Sequence, residues 1–389
     1  MPPELATPTP VVDLESDENV APARTSPVIF PELTTPIPVV DLDRLDRNLT
    51  RMANYAAAHR LGLRPHIKTH KAPAVGKQQV ARGAIGLTVA TLKEAEVMSE
   101  VTGNLLLAYP PVGSAKLKRL MSLPASTTIN VAVDSAAVIG GLAAAAREAK
   151  RPVRVLVEID MGLNRVGVTT PAEAVALAKL IRESPPLEYA GVAFYPGHIR
   201  VHVETGDAAL TELNQKIGTY VEALKRAGLA PAVVSGGSTP TVWHTHELAH
   251  ITEFRPGTYV YNDRTTAAMG ACAWEDCAVT VLATVVSTAV PGQAIVDAGV
   301  KALGREPLQP SEGEGFGQIL EHPEVVVSRM WEEHGALDLS KSTWRPKVGE
   351  RVRIVPNHVC VVTHLFDNAA GVRGDRVETK WPIAARGRD

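Results

Sequence analysis

In the stretch Arg64-Pro65-His66-Ile67-Lys68-Thr69-His70-Lys71, two histidines flank a lysine at spacings of two. It follows an Ala-rich helical segment and reads as a strand edge running into a loop. Side chains alternate across a strand, so His66, Lys68 and His70 share one face and Ile67 and Thr69 the other. Such a face builds a poor apolar core. It suits an amine whose proton can be removed, the group an aldehyde cofactor such as pyridoxal 5'-phosphate (PLP) needs for its Schiff base. Lys71 falls on the opposite parity and reads as solvated or structural. Taken alone, the octapeptide reads slightly better as a solvated edge with incidental histidines.

Further groups change that balance. Ser235-Gly236-Gly237-Ser238-Thr239 follows a short apolar run. Its glycines let the backbone approach an anion closely, and its hydroxyls and N–H groups suit a phosphate. In Arg255-Pro256-Gly257-Thr258-Tyr259-Val260-Tyr261 either tyrosine offers a hydroxyl to that phosphate, or packs in a rigid turn. Arg165, between Gly162 and Gly167, either reaches a phenolate or carboxylate oxygen or pairs with Asp160. Tyr195 closes a strand, and His198 and His202 beyond it are candidate bases. His358 and Cys360, read as i and i+2 on one strand face, can grip one soft divalent ion, Zn²⁺ best, with Mn²⁺ or Mg²⁺ as alternatives. Two protein ligands leave positions open for water or substrate. A buried cysteine near a chance histidine is the competing reading. His334, beside Glu332 and Glu333, is a polar cluster without its own assignment.

These groups need a frame. Residues 1–30 are rich in Pro, Glu, Asp and Thr and read as a disordered leader. Pro3–Leu14 recurs as Pro31–Leu42 with two changes, Ala6/Thr34 and Thr9/Ile37; the second copy leads into a helix and is the structural one. From Arg64 onward, apolar strands alternate with amphipathic helices. Strands are expected at Ile85–Ala90, Leu105–Tyr109, Thr128–Val133, Val153–Ile159, Tyr189–Tyr195, Ala232–Ser235 and Ile251–Phe254. With the Arg64 strand they make eight strand–helix units, the rhythm of a closed TIM-like (β/α)8 barrel over residues 31–270. No G-x-G-x-x-G turn supports the Rossmann-type alternative. Residues 271–389 read as a second, mostly antiparallel β domain, including strands at Val325–Trp331, Arg351–Val355 and Val359–Leu365. The 31–42 strand fits either domain.

Composition narrows the function classes. The 389 residues hold 40 basic and 42 acidic side chains, net −2, with 45% apolar and 21% charged residues. No basic excess argues for nucleic acid or an anionic membrane. No apolar run approaches the roughly 18 residues of a transmembrane helix. The N-terminus lacks an apolar signal region, and three cysteines, Cys272, Cys277 and Cys360, suggest a reducing compartment, the cytoplasm.

Together these stretches resemble the D-threonine aldolase / D-serine dehydratase family, PLP enzymes of fold type III with the alanine-racemase-like architecture. The likeness spans about Thr35 to Arg386. It rests on Thr35–Leu42, the Arg64–Lys71 octapeptide, Ser235–Thr239, Arg255-Pro256-Gly257-x-Tyr259 and Val296-Asp297-Ala298-Gly299-x-Lys301. It also rests on Glu333-His334-Gly335, Pro356-x-His358-x-Cys360 and the tail Trp381–Gly387. The resemblance implies Lys68 as Schiff-base lysine and Ser235, Gly236, Gly237, Ser238 and Thr239 with Tyr259 as the phosphate cup. It further implies Arg165 near the phenolic oxygen, Tyr195 beside the pyridine nitrogen, and His358 and Cys360 as metal ligands. A homodimer is implied too, with a D-3-hydroxy amino acid as substrate. Dehydratase members carry His-x-Cys where aldolase members carry His-x-Asp, so dehydration to a keto acid and ammonia is the leading expectation. Retro-aldol cleavage to glycine and an aldehyde is the alternative, and an amino acid racemase a further one. Two departures stand out: His364 replaces a usual Asn after the metal pair, and Pro196 replaces a usual His near Tyr195. Either His198 takes over that role as catalytic base or the substrate range differs.

Overall fold

The structure, a computed structural model, describes residues 29–200, 207–309, 311 and 313–387. The leader apart from Ile29 and Phe30, the first copy of the repeat and His202 lie outside the described residues.

The second copy forms β1 (Ile37–Asp41), and Asp41 caps α1 (Leu42–Ala58) by accepting from the Arg44 N–H at 2.9 Å. Apolar residues at 45, 49, 52 and 56 then fall on one buried face of α1. Eight short parallel strands follow. They are β2 (Gly62–Leu63), β3 (Leu87–Val89), β4 (Asn104–Leu107), β5 (Thr128–Val133), β6 (Val153–Ile159), β7 (Leu187–Phe194), β8 (Val233–Gly236) and β9 (Glu253–Phe254). Their order in the sheet is β2-β9-β8-β7-β6-β5-β4-β3. The ends meet: the Ile85 N–H donates to Leu63 O at 2.9 Å and the Thr88 N–H to Pro65 O at 2.8 Å. That closure is the expected barrel. Helices α2 (Pro73–Ala81), α3 (Leu92–Met98), α4 (Ser114–Met121), α5 (Ala136–Glu148), α6 (Pro171–Arg182) and α7 (Ala208–Arg226) form its outer layer. After β8 and β9 only short 3₁₀ turns and α8 (Arg264–Ala268) occur, so the last two units lack full helices.

Strand parity sorts the two faces. On β4 to β7, Leu106, Ala132, Leu156 and Ala193 fill the barrel interior, while Leu105, Val131, Val155 and Val157 join the helix-facing core. Polar groups also enter the interior. Arg64 grips Glu253 through Nε and Nη2 at 2.9 and 3.0 Å, and its Nη1 donates to Asn104 Oδ1 at 2.9 Å. Both partners are nearly fully buried, so each charge depends on the other.

A nine-stranded, mostly antiparallel sheet completes the chain. Its strands are β1 with β10 (Val279–Ser287), β11 (Gln293–Val296), β12 (Gly317–Ile319), β13 (Val327–Met330), β14 (Gly335–Asp338), β15 (Arg351–Pro356), β16 (Asn368–Arg373) and β17 (Arg376–Pro382). α9 (Val300–Leu303) and α10 (Val359–Leu365) interrupt them. β1 pairs antiparallel with β10 and parallel with β16, so the 31–42 segment joins this sheet, while the helix it leads into packs on the barrel.

Two local expectations are corrected. Val359–Leu365 is a helix, although its β-branched residues suggested a strand. Its first N–H, that of Val359, finds the Asp263 carboxylate at 3.1 Å, and Val359, Val362 and Thr363 turn one face inward at helical spacing. The Arg64–Lys71 stretch leaves the barrel after Leu63, touches β3 at a single bridge from His66 to Thr88, and winds into a 3₁₀ turn over Ile67–Thr69. His66 starts that turn by accepting from the Lys68 N–H at 3.4 Å.

Candidate active site

The 3₁₀ turn buries Ile67 and Thr69 completely and leaves Lys68 and His66 on the wall of a cavity of about 510 Å³. His70 does not share that wall. Its ring is fully buried behind the turn, bonded to Ala72 and Gln79. Period-2 parity therefore misplaced it, because a tight turn advances by thirds rather than halves. Lys71 is structural: it is buried and paired with Glu94.

The cavity lies at the C-terminal ends of the barrel strands, where a (β/α)8 fold gathers its loops. Lys68 comes from beyond β2, Arg165 from the loop after β6, Tyr195 from the end of β7, Gly237-Ser238-Thr239 from the loop after β8 and Gly257-Thr258 from beyond β9. His358 and Cys360 enter from the second sheet, at the cap and first turn of α10. They touch one another there, because His358 is the extended cap residue and turns its ring toward Cys360 in the first turn, not because both lie on one strand as expected. Arg165 and Lys68 both approach the Tyr195 ring, at 5.1 and 5.9 Å from its centre.

Four expected site residues do not line the cavity. The Ser235 hydroxyl donates to Glu253 at 2.7 Å and accepts from Arg255 at 2.6 Å, one layer below. Gly236 is needed for packing, since a Cβ there would sit 2.1 Å from the Phe194 ring. Tyr259 is buried behind the loops, its hydroxyl accepting from Gln79 at 3.1 Å. His198 packs over Gly162, whose Cβ position lies 3.2 Å from the imidazole. His364 is exposed at the last turn of α10.

Sequence reading missed Glu158, Asp263 and the side chain of Arg255, which all line the cavity. Parity held a signal for Glu158: it continues the inward row of Leu156 on β6 and reaches the rim. Burial pushes its carboxyl up, and the Arg255 and Arg165 charges counter that. Burial likewise holds the His66 imidazole well below its ordinary value, helped by Lys68 and Arg255.

The residues present fit a phosphorylated aldehyde and a soft cation. At the loop after β8, Gly237 turns at φ +92°. At the loop after β9, a Cβ on Gly257 would stand 2.9 Å from Thr69 Oγ1. These glycines let both loops pack tightly, against Thr69 and Phe254, and bring bare backbone to the cavity wall as a cradle beside Lys68. For the cation, burial opposes ionisation of Cys360, yet the His358 charge, then Lys68, hold the thiol below its ordinary value. The Cys360 thiolate in turn raises His358 to about 11 against the effect of burial, with Asp263 assisting. Among the described residues no group of three or more His, Cys, Asp or Glu side chains is placed to hold a metal, so this pair would bind one with open positions.

Fold and cavity define a class, the PLP-type enzymes built on the alanine racemase barrel with an appended β domain. Residues 40–265 match the family "Alanine racemase, N-terminal domain" and residues 278–372 match the "Putative serine dehydratase domain". The chain is 33% identical to a 3-hydroxy-D-aspartate aldolase of Paracoccus denitrificans, over 89% of this chain and 90% of the relative. It is 35% identical to a D-threo-3-hydroxyaspartate dehydratase of Delftia sp., over 87% and 94%. A solved D-threonine aldolase from Filomicrobium marinum, 33% identical, covers 95% of this chain and 100% of its own with a TM-score of 0.85. The chain belongs to the D-threonine aldolase / D-serine dehydratase family of lyases. Among its described residues no helix is long and apolar enough to cross a membrane.

Proposed function

We propose that this enzyme uses PLP and a divalent cation to cleave D-3-hydroxy amino acids between Cα and Cβ, giving glycine and an aldehyde. The observation that carries the reading is convergence: Lys68, the glycine cradle and the His358–Cys360 pair share one cavity. When bound, the aldehyde cofactor supplies a sink for the electron pair left at Cα and the cation a Lewis acid at the β-hydroxyl.

The chain's own residues do the rest. Lys68 Nζ would hold the cofactor and then carry a proton to or from the substrate. Gly237, Ser238, Thr239 and Gly257 would seat the phosphate. Arg165, which lies over the Tyr195 ring at 5.1 Å, would hold the cofactor's phenolic oxygen, and Tyr195 would stand beside its pyridine nitrogen. His358 and Cys360 would hold the cation, Zn²⁺ before Mn²⁺ or Mg²⁺, with Asp263 orienting the imidazole through Nδ1 at 3.3 Å.

Two of the three relatives named above act as aldolases, which reverses the preference for dehydration drawn from the His-x-Cys pattern. Dehydration remains the second reading. Cys360 favours it, because a thiolate is a softer ligand than a carboxylate. A solved D-threo-3-hydroxyaspartate dehydratase with a cysteine-to-alanine substitution is in a metal-free form. Incubation with D-threonine, D-serine and 3-hydroxy-D-aspartate, with and without a chelator, tests both readings. Glycine with an aldehyde supports cleavage; keto acid and ammonia without glycine would overturn it in favour of dehydration.

A further inference from the structure

One buried acid in the cavity wall is not used by the proposed chemistry. Glu158, on β6, is 9% exposed, and among the described residues no N–H or O–H group donates to its carboxylate. A buried charge without a hydrogen bond is costly, so its surroundings must account for it. Asp134 opposes the charge, while Arg255 and then Arg165 compensate it.

The two arginines differ in how they are held. Arg255 is fixed: its guanidinium donates to Ser235 O at 2.8 Å, to Ser235 Oγ at 2.6 Å and to Phe194 O at 2.9 Å. Behind it Ser235 leads to Glu253, and Glu253 to Arg64. Charges of alternating sign therefore run from Arg64 through the barrel interior to Glu158, and Arg165 is the last of them. Arg165 is exposed and makes no hydrogen bond among the described residues; the Tyr195 ring is its one close support. Asp160, the carboxylate closest to it in sequence, is not its partner. Asp160 Oδ1 accepts the Asn164 N–H at 2.9 Å and closes the loop instead.

That loop starts and ends at Glu158. The Val168 N–H donates to Glu158 O at 3.0 Å, and the Gly167 N–H donates to Asp134 Oδ2 at 3.1 Å. Left-handed turns at Gly162, Asn164 and Gly167 fold the chain back between these anchors. Glu158 and Arg165 come to line one small void with Tyr195, at the edge of the main cavity. A guanidinium offers donors on more than one edge, so it can serve a carboxylate and a ligand oxygen together. A long side chain aimed in advance also loses less freedom when the ligand arrives.

We propose that Glu158 is a positioning residue that holds one edge of Arg165 and turns the other toward the phenolic oxygen of the cofactor. Glu158 acts through the arginine rather than on the ligand. The proposal rests on Arg165 facing that oxygen, as in the function proposed above.

Equilibrium binding to the cofactor-free protein tests it, using PLP and the analogue that lacks only the 3-hydroxyl. If the wild-type protein binds neither, the cofactor reading fails; if it binds both equally, Arg165 does not face the phenolic oxygen. Either result overturns the proposal. With PLP preferred, Glu158→Gln should cut the preference about tenfold, the scale of one hydrogen bond to a charged group, and leave the deoxy analogue unchanged. In an Arg165→Met background it should cause no further loss, because the group it aims is gone. Equal losses for both ligands, or full additivity with Arg165→Met, would mean a packing role and overturn the proposal while the cofactor reading stands. Glu158→Asp keeps the charge at shorter reach, which keeps the test open if Glu158→Gln does not fold. It should lose less than Glu158→Gln, and again for PLP alone; a loss shared by both ligands would make shape rather than charge the cause and overturn the proposal.

Discussion

Asp263 joins His358 to the barrel. Its Oδ1 accepts from the Thr266 N–H at 2.9 Å and caps α8, while its Oδ2 stands 3.3 Å from His358 Nδ1 and accepts the Val359 N–H at 3.1 Å. One fully buried carboxylate thus fixes a helix of the barrel rim and the entry of α10. Asp263→Asn keeps the α8 cap but turns an amide toward two groups that need an acceptor. We expect metal affinity to fall roughly 10- to 100-fold, the usual effect of losing a ligand's orienting partner. Titration with Zn²⁺ in the presence of a competing chelator measures it; unchanged affinity would remove Asp263 from the site.

Lys68→Ala tests the turn itself. Turnover should fall by about 100- to 10,000-fold, as expected for loss of a positioned proton carrier. The visible absorption that depends on covalent cofactor attachment should vanish, and borohydride treatment should no longer fix cofactor to the chain. Survival of that absorption would show that another amine holds the aldehyde.

Cys360→Ala separates the two halves of the site. PLP affinity should be near that of the wild type, because the cradle and Lys68 lie on the barrel side. Metal content should drop, and added divalent cation should restore activity to chelated wild-type protein but not to this variant. Elemental analysis beside PLP titration reads both. Coincident loss of PLP would contradict the division.

Burial gives His70 a pH signature. Its imidazole titrates near 6.5 when unfolded and at about 4 when folded. Between those values the unfolded chain binds more protons, so the contribution to stability is complete above about pH 6.5 and is lost as pH falls toward 4. The shift corresponds to about 3 kcal/mol. His70→Asn lacks this dependence. The stability gap between wild type and variant, read from urea unfolding, should therefore narrow by about that amount from pH 7 to pH 4.

Much of this was legible from residue order. Runs such as Val153–Ile159 foretold the barrel strands, because β-branched residues at 153, 155, 157 and 159 suit the pleated, helix-covered face of a strand. The Ser/Gly loop after the seventh expected strand and the lysine beyond the first fell at one end of the barrel by topology alone. What sequence could not carry was the state of short polar stretches. The octapeptide alternates like a strand, but His66 caps a turn and Ile67 and Thr69 find burial in it. Val359–Leu365 looks β-rich, but a carboxylate 96 positions earlier supplies its helix start. In both cases a distant partner outweighs local propensity, and no window of neighbours contains that partner.

The turn bearing Lys68 is held from far along the chain. Thr363 Oγ1 donates to Thr69 O at 2.7 Å across 294 positions, and the Ala385 N–H donates to Lys71 O at 2.9 Å. During synthesis residues 66–71 emerge long before residues 359–385 exist, and a nascent chain folds its early portions first. The barrel can therefore assemble around a lysine whose turn is still unlatched. Both latches on the Lys68 turn close only after the C-terminal segment has been made.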